Sequence, residues 1–348
     1  MAEPDPPRVS VIVPMRNEEG FIGRCLESVL ASAYPPDLLE VLVVDGRSTD
    51  RSRDVVREMA ERYPSVVLLD NPGRTQAQGL NVALNAATGS VVVRMDAHST
   101  YSPDYVSECV RLLRSSGAAN VGGPQRAVGR GPVGEAIAAA MSSRFGAGDA
   151  RFRYSEEEAW VDTVYLGAWE KRTLEELAGF DPEAAPNEDD ELNYRLRRSG
   201  GRILLSPTIR SEYTVRPSLP ALAKQYFRYG RARVRTLVLH PDSLRLRQLA
   251  APGLVLGLGA SAALRRVAPR LASIVPVSYA AANLTASAVA ARRRGLHTLP
   301  VLPAAFAIMH VSWGAGFAAG ILRHGLPALS PRAVARALRR VDYPPGDH

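Results

Sequence analysis

The sequence predicts an α/β fold with a mostly parallel central sheet, followed by a C-terminal α-helical membrane region. Three observations predict it. Short β-branched runs alternate with amphipathic helical patterns over the first hundred residues. A polar or acidic cluster follows each run. The last third then loses its acids and gathers arginines around long stretches free of charge.

Val9–Pro14, Leu39–Asp45, Val66–Asp70 and Ser90–Asp96 read as fully buried strands. Between them, Glu18–Ala31, Asp50–Tyr63 and Thr75–Ala87 carry helical periodicity. Such alternation implies right-handed crossovers and parallel pairing. Ligands of such sheets bind beyond the carboxyl ends of the strands. There the chain places Asn17-Glu18-Glu19, Asp45, Asn71 and Asp96-Ala97-His98. Further on, Val161–Ala168 reads as another strand and Gly179–Pro182 as a turn. Glu188–Arg198 reads as a helix, with Gly200-Gly201 as its stop signal. Gly122–Gly148, rich in Gly and Ala, reads as a mobile or acceptor-side connection.

The formal charge of +8 is sharply segregated. Residues 1–223 hold 25 basic and 32 acidic residues, a net of −7. Residues 224–250 carry a net of +6, and residues 251–348 a net of +9 with eleven Arg and no Lys. A nucleic-acid partner is disfavoured, because the cations lie away from the domain that carries the chemistry. They flank Gln248–Leu264, Leu271–Ala291 and Thr298–Leu322, runs of 17, 21 and 25 residues without Asp, Glu, Lys or Arg. A membrane span needs roughly 20 apolar residues, so the second and third runs qualify. The first is short, holds Pro252, and suits a re-entrant or interfacial segment. Two or three passes are open, and the positive-inside bias favours two. Met1–Pro7 has no signal-peptide pattern, which leaves the N-terminal domain in the cytosol. Cys25 and Cys109 fall in helical patterns and read as small core residues rather than a disulfide.

Several side chains can do chemistry. Asp96 and His98 lie two apart at a strand end, where a carboxylate and an imidazole suit Mn²⁺ or Mg²⁺ bridging two phosphates. Asp45 can accept hydrogen bonds from a nucleobase, while Thr49 or Asp50 caps the next helix. Glu188, Asp189, Asp190 and Glu191 crowd four carboxylates into one helix start. Helix-dipole complementation accounts for one or two of them. Mutual repulsion is expected to raise at least one pKa, as a general base requires. Gln225-Tyr226-Phe227-Arg228-Tyr229 opens the basic stretch. Its Arg can neutralise a leaving diphosphate and its Tyr can stack on a sugar; an interfacial helix with snorkelling Tyr and Arg is the alternative.

Over residues 8–230 the chain resembles the inverting family 2 glycosyltransferases of the GT-A fold. The resemblance rests on Val9-Ser10-Val11-Ile12-Val13-Pro14 with Asn17-Glu18, and on Val44-Asp45-Gly46-Arg47-Ser48-Thr49-Asp50. Asp96-Ala97-His98, Gly179-Phe180-Asp181, Glu188-Asp189 and Gln225-x-x-Arg228-Tyr229 complete it. Met95-Asp96-Ala97-His98, Asn187-Glu188-Asp189 and the apolar tail are similar to bacterial exopolysaccharide glucosyltransferases of the succinoglycan type. The resemblance implies a GT-A domain over 1–223, a basic interfacial segment over 224–250 and a membrane-associated helical region with a basic tail over 251–348. It implies that Asp45 contacts uracil, Asp96 the ribose or metal, and His98 the metal. Asp189 would be the catalytic base, with Glu188 beside it. Gln225, Arg228 and Tyr229 would approach the diphosphate or acceptor, and Arg74 or Gln76 would take the role of the arginine usual after the third strand. His98 stands where a second Asp is usual, and Gly46 where the nucleobase loop often has another Asp. Tyr229 stands where processive synthases carry Trp, which points to single addition.

The expectation is a metal-dependent hexosyltransferase at the bacterial inner membrane, its catalytic domain in the cytosol. It would add one sugar, glucose from UDP-glucose, to a lipid-linked oligosaccharide. Direct transfer to polyprenyl phosphate is the alternative within the enzyme class. A non-catalytic nucleotide-sugar-binding scaffold is the alternative outside it.

Overall fold

The computed structural model describes residues 5–245 and 247–327. They form two compact units, one of residues up to 126 with 154–213, the other of 127–153 with 214–327. The expected boundary at residue 223 falls inside a helix. The distal part of the basic tail, residues 328–348, lies outside the described residues.

In the first unit, β1 (Val9–Met15), α1 (Ile22–Leu30), β2 (Leu39–Asp45), α2 (Ser52–Arg62), β3 (Val66–Asp70), α3 (Gln76–Ala86) and β4 (Val91–Arg94) follow the predicted alternation. Next come β5 (Ser99–Tyr101), α4 (Tyr105–Ser116), β6 (Asn120–Gly123) and β7 (Gln125–Val128). The second unit contributes α5 (Gly131–Met141) and α6 (Arg144–Ala147). The first unit resumes with β8 (Ala159–Trp160), β9 (Tyr165–Glu170), α7 (Lys171–Glu176), α8 (Glu188–Arg198), β10 (Ile203–Leu205) and β11 (Ser211–Thr214).

The main sheet has the order β3-β2-β1-β4-β9-β6-β10-β8, and a small one the order β5-β11-β7. β3, β2, β1 and β4 are mutually parallel, as are β6 and β10. β9 enters antiparallel between β4 and β6, and β8 edges the sheet antiparallel to β10. Every residue of β2 is buried, which is why its apolar run is continuous rather than alternating. Ile22, Cys25, Leu26 and Val29 of α1 and Leu80 and Ala83 of α3 join this core. Both cysteines are buried and free, and burial pushes their thiol pKa values up. Polar side chains seal the opposite end of the sheet. Buried Glu40 accepts from Ser10 Oγ at 2.5 Å, Thr88 N at 2.7 Å and Thr88 Oγ1 at 2.8 Å.

In the second unit, α9 (Leu219–Leu239) starts at Ser218, whose side chain caps Ala221 N. α10 (Arg247–Leu264), α11 (Pro269–Arg294) and α12 (Leu302–His324) follow. Gly122–Gly148 is not a loose connection: β6, β7, α5 and α6 order most of it, with α5 buried from Ala136 to Met141. α9 and α12 approach closely through glycines. A Cβ on Gly230 would lie 2.0 Å from Trp313 O, and one on Gly316 2.1 Å from Phe227 O. Val234, Leu237, Leu244 and Phe317 pack in their shared core, with Trp313 and Ile321 against them. Beside this core Arg233 is buried, donating to Ser243 O and to Ser243 Oγ at 3.0 Å. Thus α9 is more than a surface helix of snorkelling side chains: one face is core and the other carries exposed Lys224 and Arg228.

α11 and α12 are long and apolar enough to cross a membrane; α10, with Pro252 inside it, is not in that class. Leu256 of α10 and Val277 and Leu284 of α11 are 73%, 63% and 60% exposed, an apolar surface unsuited to water. Arg265, Arg266 and Arg292–Arg294 are exposed at the helix ends.

Candidate active site

The carboxyl ends of β1, β2 and β4 converge in the first unit. After β1, Asn17 adopts a left-handed conformation (φ 56°), and its Oδ1 accepts from Thr49 N at 2.8 Å. Asn17 N donates to Ser48 Oγ at 2.9 Å and Glu18 N to Ser52 Oγ at 2.7 Å. Asp50 Oδ1 takes Ser52 N at 3.0 Å, and its Oδ2 takes Glu19 N. Asp50 therefore supplies the oxygen at the start of α2, although Arg51 occupies the cap position. These bonds tie the two turns into one platform.

Asp45, at the end of β2, has no exposure. Its carboxylate accepts from Ser48 N at 3.1 Å and pairs with Arg53 at 2.7 Å. Arg53 also reaches Asp70 at 2.6 Å. Arg53, in the first turn of α2, was not a candidate from sequence, because only the folded loop brings it to Asp45. Arg74 lies exposed in the turn after β3, with φ 63°. Its neighbour Gln76 points inward instead and donates to Asp96 Oδ1 at 3.2 Å.

Asp96 is 8% exposed. Its N–H donates to the Tyr101 hydroxyl at 2.7 Å, and Tyr165 approaches its Oδ2 at 3.5 Å. His98 Nδ1 lies 3.5 Å from Glu18 Oε1, and its ring meets Tyr213 edge-on at 5.1 Å.

The acidic motif meets the strand ends through one residue. Arg94, the last of β4, is 2% exposed. Its Nη2 lies 3.4 Å from Asp96 Oδ1 and 3.1 Å from Glu188 Oε1, and its Nη1 contacts Asp189. Burial alone would lower the Arg94 pKa; the adjacent Asp96 and Glu188 carboxylates outweigh it and raise the value. At the other side of α8, Glu191 pairs with Arg195 at 2.6 Å, and Arg195 also donates to Leu177 O and Gly179 O. Three of the four acids, Glu188, Asp189 and Glu191, thus meet a guanidinium. Glu188 is buried, whereas the Asp189 side chain keeps 27% exposure and can meet a substrate. The register of α8 is held by Asn193, which accepts from Asn120 at 2.8 Å and donates to Thr163 at 2.9 Å.

Gln225, Arg228 and Tyr229 lie on α9 of the second unit. Spaced i, i+3 and i+4, they share a helix face. Gln225 donates to the Tyr229 hydroxyl at 3.0 Å. Among the described residues no group of three or more His, Cys, Asp or Glu is placed to hold a metal. Asp96 with His98 offers two donors only. That set fits Mn²⁺ or Mg²⁺ of the kind completed by substrate phosphates and water, not one caged by protein.

A mostly parallel sheet with acids at its carboxyl edge and an acid-headed helix in the same unit is the architecture of a GT-A-type domain. The chain belongs to glycosyltransferase family 2, whose model, "Glycosyl transferase family 2", matches residues 10–164. The succinoglycan biosynthesis protein ExoA of Rhizobium meliloti is 32% identical over 310 residues, covering 88% of this chain and 93% of its own. A Methanococcus voltae enzyme is 28% identical over 233 residues, 65% of this chain and 72% of its own. It is named a dolichyl N-acetyl-alpha-D-glucosaminyl phosphate 3-beta-D-2,3-diacetamido-2,3-dideoxy-beta-D-glucuronosyltransferase. Mannosyltransferase PcManGT of Pyrobaculum calidifontis, solved with GDP-Man and Mn²⁺, shares the fold. Its TM-score is 0.60 at 24% identity, over 92% of this chain and 90% of that one. The protein is a glycosyltransferase of glycan biosynthesis.

Proposed function

We propose that this enzyme transfers one sugar, glucose from UDP-glucose, with inversion, to a lipid-linked oligosaccharide at the cytosolic face of a bacterial inner membrane. The carrying observation is that Arg94 joins Asp96 and Glu188-Asp189, bringing the donor-side and base-side acids together. Asp189 accepts the proton of the acceptor hydroxyl, whose oxygen attacks the anomeric carbon as the bond to UDP breaks. Asp45 with its Ser48 turn takes the uracil. Asp96 and His98 would hold a divalent ion, which when bound would supply positive charge against the departing diphosphate. Gln225, Arg228 and Tyr229 keep the diphosphate or acceptor role that the resemblance implies, and Arg74 lies free to meet the donor at the rim. The apolar helices α11 and α12 support a membrane location, and the Methanococcus relative, named for a dolichyl-phosphate-linked acceptor, supports a lipid-linked one.

The test is UDP release by detergent-purified protein over a panel of UDP- and GDP-sugars, with Mn²⁺, Mg²⁺ or EDTA, and with added polyprenyl-linked acceptors. Metal-dependent release from UDP-glucose, lowered about 10²- to 10⁴-fold by Asp189→Asn while UDP still binds, is expected. Release from another donor would correct the sugar. Equal transfer by Asp189→Asn would remove the base assignment.

A further inference from the structure

We propose that Arg94 is a positioning residue for sugar transfer: its guanidinium fixes the Glu188–Asp189 turn of α8 beside the Asp96 loop. This rests on the glycosyltransfer reading above and adds to it a residue that lies outside the acidic motifs.

The supports on the two sides of Arg94 are unequal. Asp96 is held independently, through Gln76 on Oδ1 and through the Tyr101 hydroxyl, which contacts both its N at 2.7 Å and its O at 3.1 Å. The Glu188 carboxylate, 2% exposed, pairs with Arg94 through Oε1, and its Oε2 makes no hydrogen bond. Glu188 and Asp189 are the first two residues of α8, so the position of that turn fixes where the base stands. A planar guanidinium with several donors can engage two carboxylates of one turn at once, whereas an ammonium is a single point charge. Three carboxylates against one cation also leave a negative balance that suits a divalent ion beside Asp96.

Removing Arg94 should therefore loosen the base and spare the donor site. The informative variant is Arg94→Lys, which keeps the buried charge and the fold but loses the fork; Arg94→Met is its companion. In Arg94→Lys, kcat is expected to fall about a hundredfold, the scale of a displaced catalytic group. Donor KM and the Kd of UDP with Mn²⁺ should stay within about threefold, because Asp96 keeps its other partners. Amide exchange over residues 187–191 should quicken about tenfold, with residues 96–101 unchanged. Adding Glu188→Gln to Arg94→Lys should cost no more than about threefold further, since both act through the same turn. Unchanged exchange at 187–191 overturns the proposal whether or not the enzyme turns over. So does wild-type kcat in Arg94→Lys, or a Kd for UDP with Mn²⁺ that rises with kcat intact. A wild-type protein that neither binds UDP nor releases it from any donor refutes the glycosyltransfer reading instead, and the exchange result still judges Arg94.

Discussion

Gly230→Ala tests whether α9 and α12 are held at the distance the structure shows. An added Cβ would stand 2.0 Å from Trp313 O and 2.9 Å from Phe317 N, both backbone atoms that cannot swing aside. Restoring ordinary contact needs the helices to part by about 1 Å, and overpacking of that kind costs about 1–3 kcal/mol. The same substitution gains about 1 kcal/mol of helix propensity. Gly259→Ala in α10 provides the reference, because its Cβ would meet nothing within 4 Å and only the propensity gain remains. The difference between the variants then isolates the clash, at about 1–3 kcal/mol. Thermal unfolding in detergent should move Gly259→Ala up and place Gly230→Ala several degrees below it. Equal stabilisation of both variants would refute the close approach.

Three further outcomes follow from polar and buried groups. Burial favours protonation of Glu40, but hydrogen bonds from Ser10 and Thr88 outweigh it and hold its pKa below the ordinary value. Its stabilisation is therefore present above about pH 4.5 and lost as pH falls through the folded value; an acid titration of Tm should show a shallower limb in Glu40→Gln. Asn81→Ala strips Phe180 N and O of partners at 2.8 and 2.7 Å, costing about 1–3 kcal/mol with UDP affinity unchanged. Native protein should resist maleimide at Cys25 and Cys109, reacting at both only after denaturation; prompt labelling would contradict their burial.

Local signals were legible because the first half of the fold is built from them. Val66–Asp70 and Leu39–Asp45 match β3 and β2 residue for residue, and Glu188–Arg198 matches α8. Buried parallel strands are continuously apolar, and the first turn of a helix favours acids, so these segments announce themselves. Arg94 did not. It closes a valine run and reads as the edge of a strand, while its partners Glu188 and Asp189 lie more than ninety residues on. No local pattern encodes a pairing that only the sheet order creates. For the same reason β9, antiparallel between two parallel groups, could be read as a strand but not placed. The Gly and Ala of residues 131–141 suggested looseness, because small side chains that permit close helix packing look the same in sequence as those that permit mobility.

The platform made by the turns after β1 and β2 bears on how a nucleotide arrives. Asn17, Glu18 and Glu19 are bonded to Ser48, Thr49, Asp50 and Ser52 by contacts within the protein itself. If the base binds beside these turns, as proposed, little free backbone remains to be frozen, and the conformational entropy lost on association is small. On that proposal, encounter with the nucleotide end of the donor should need no prior rearrangement of these turns.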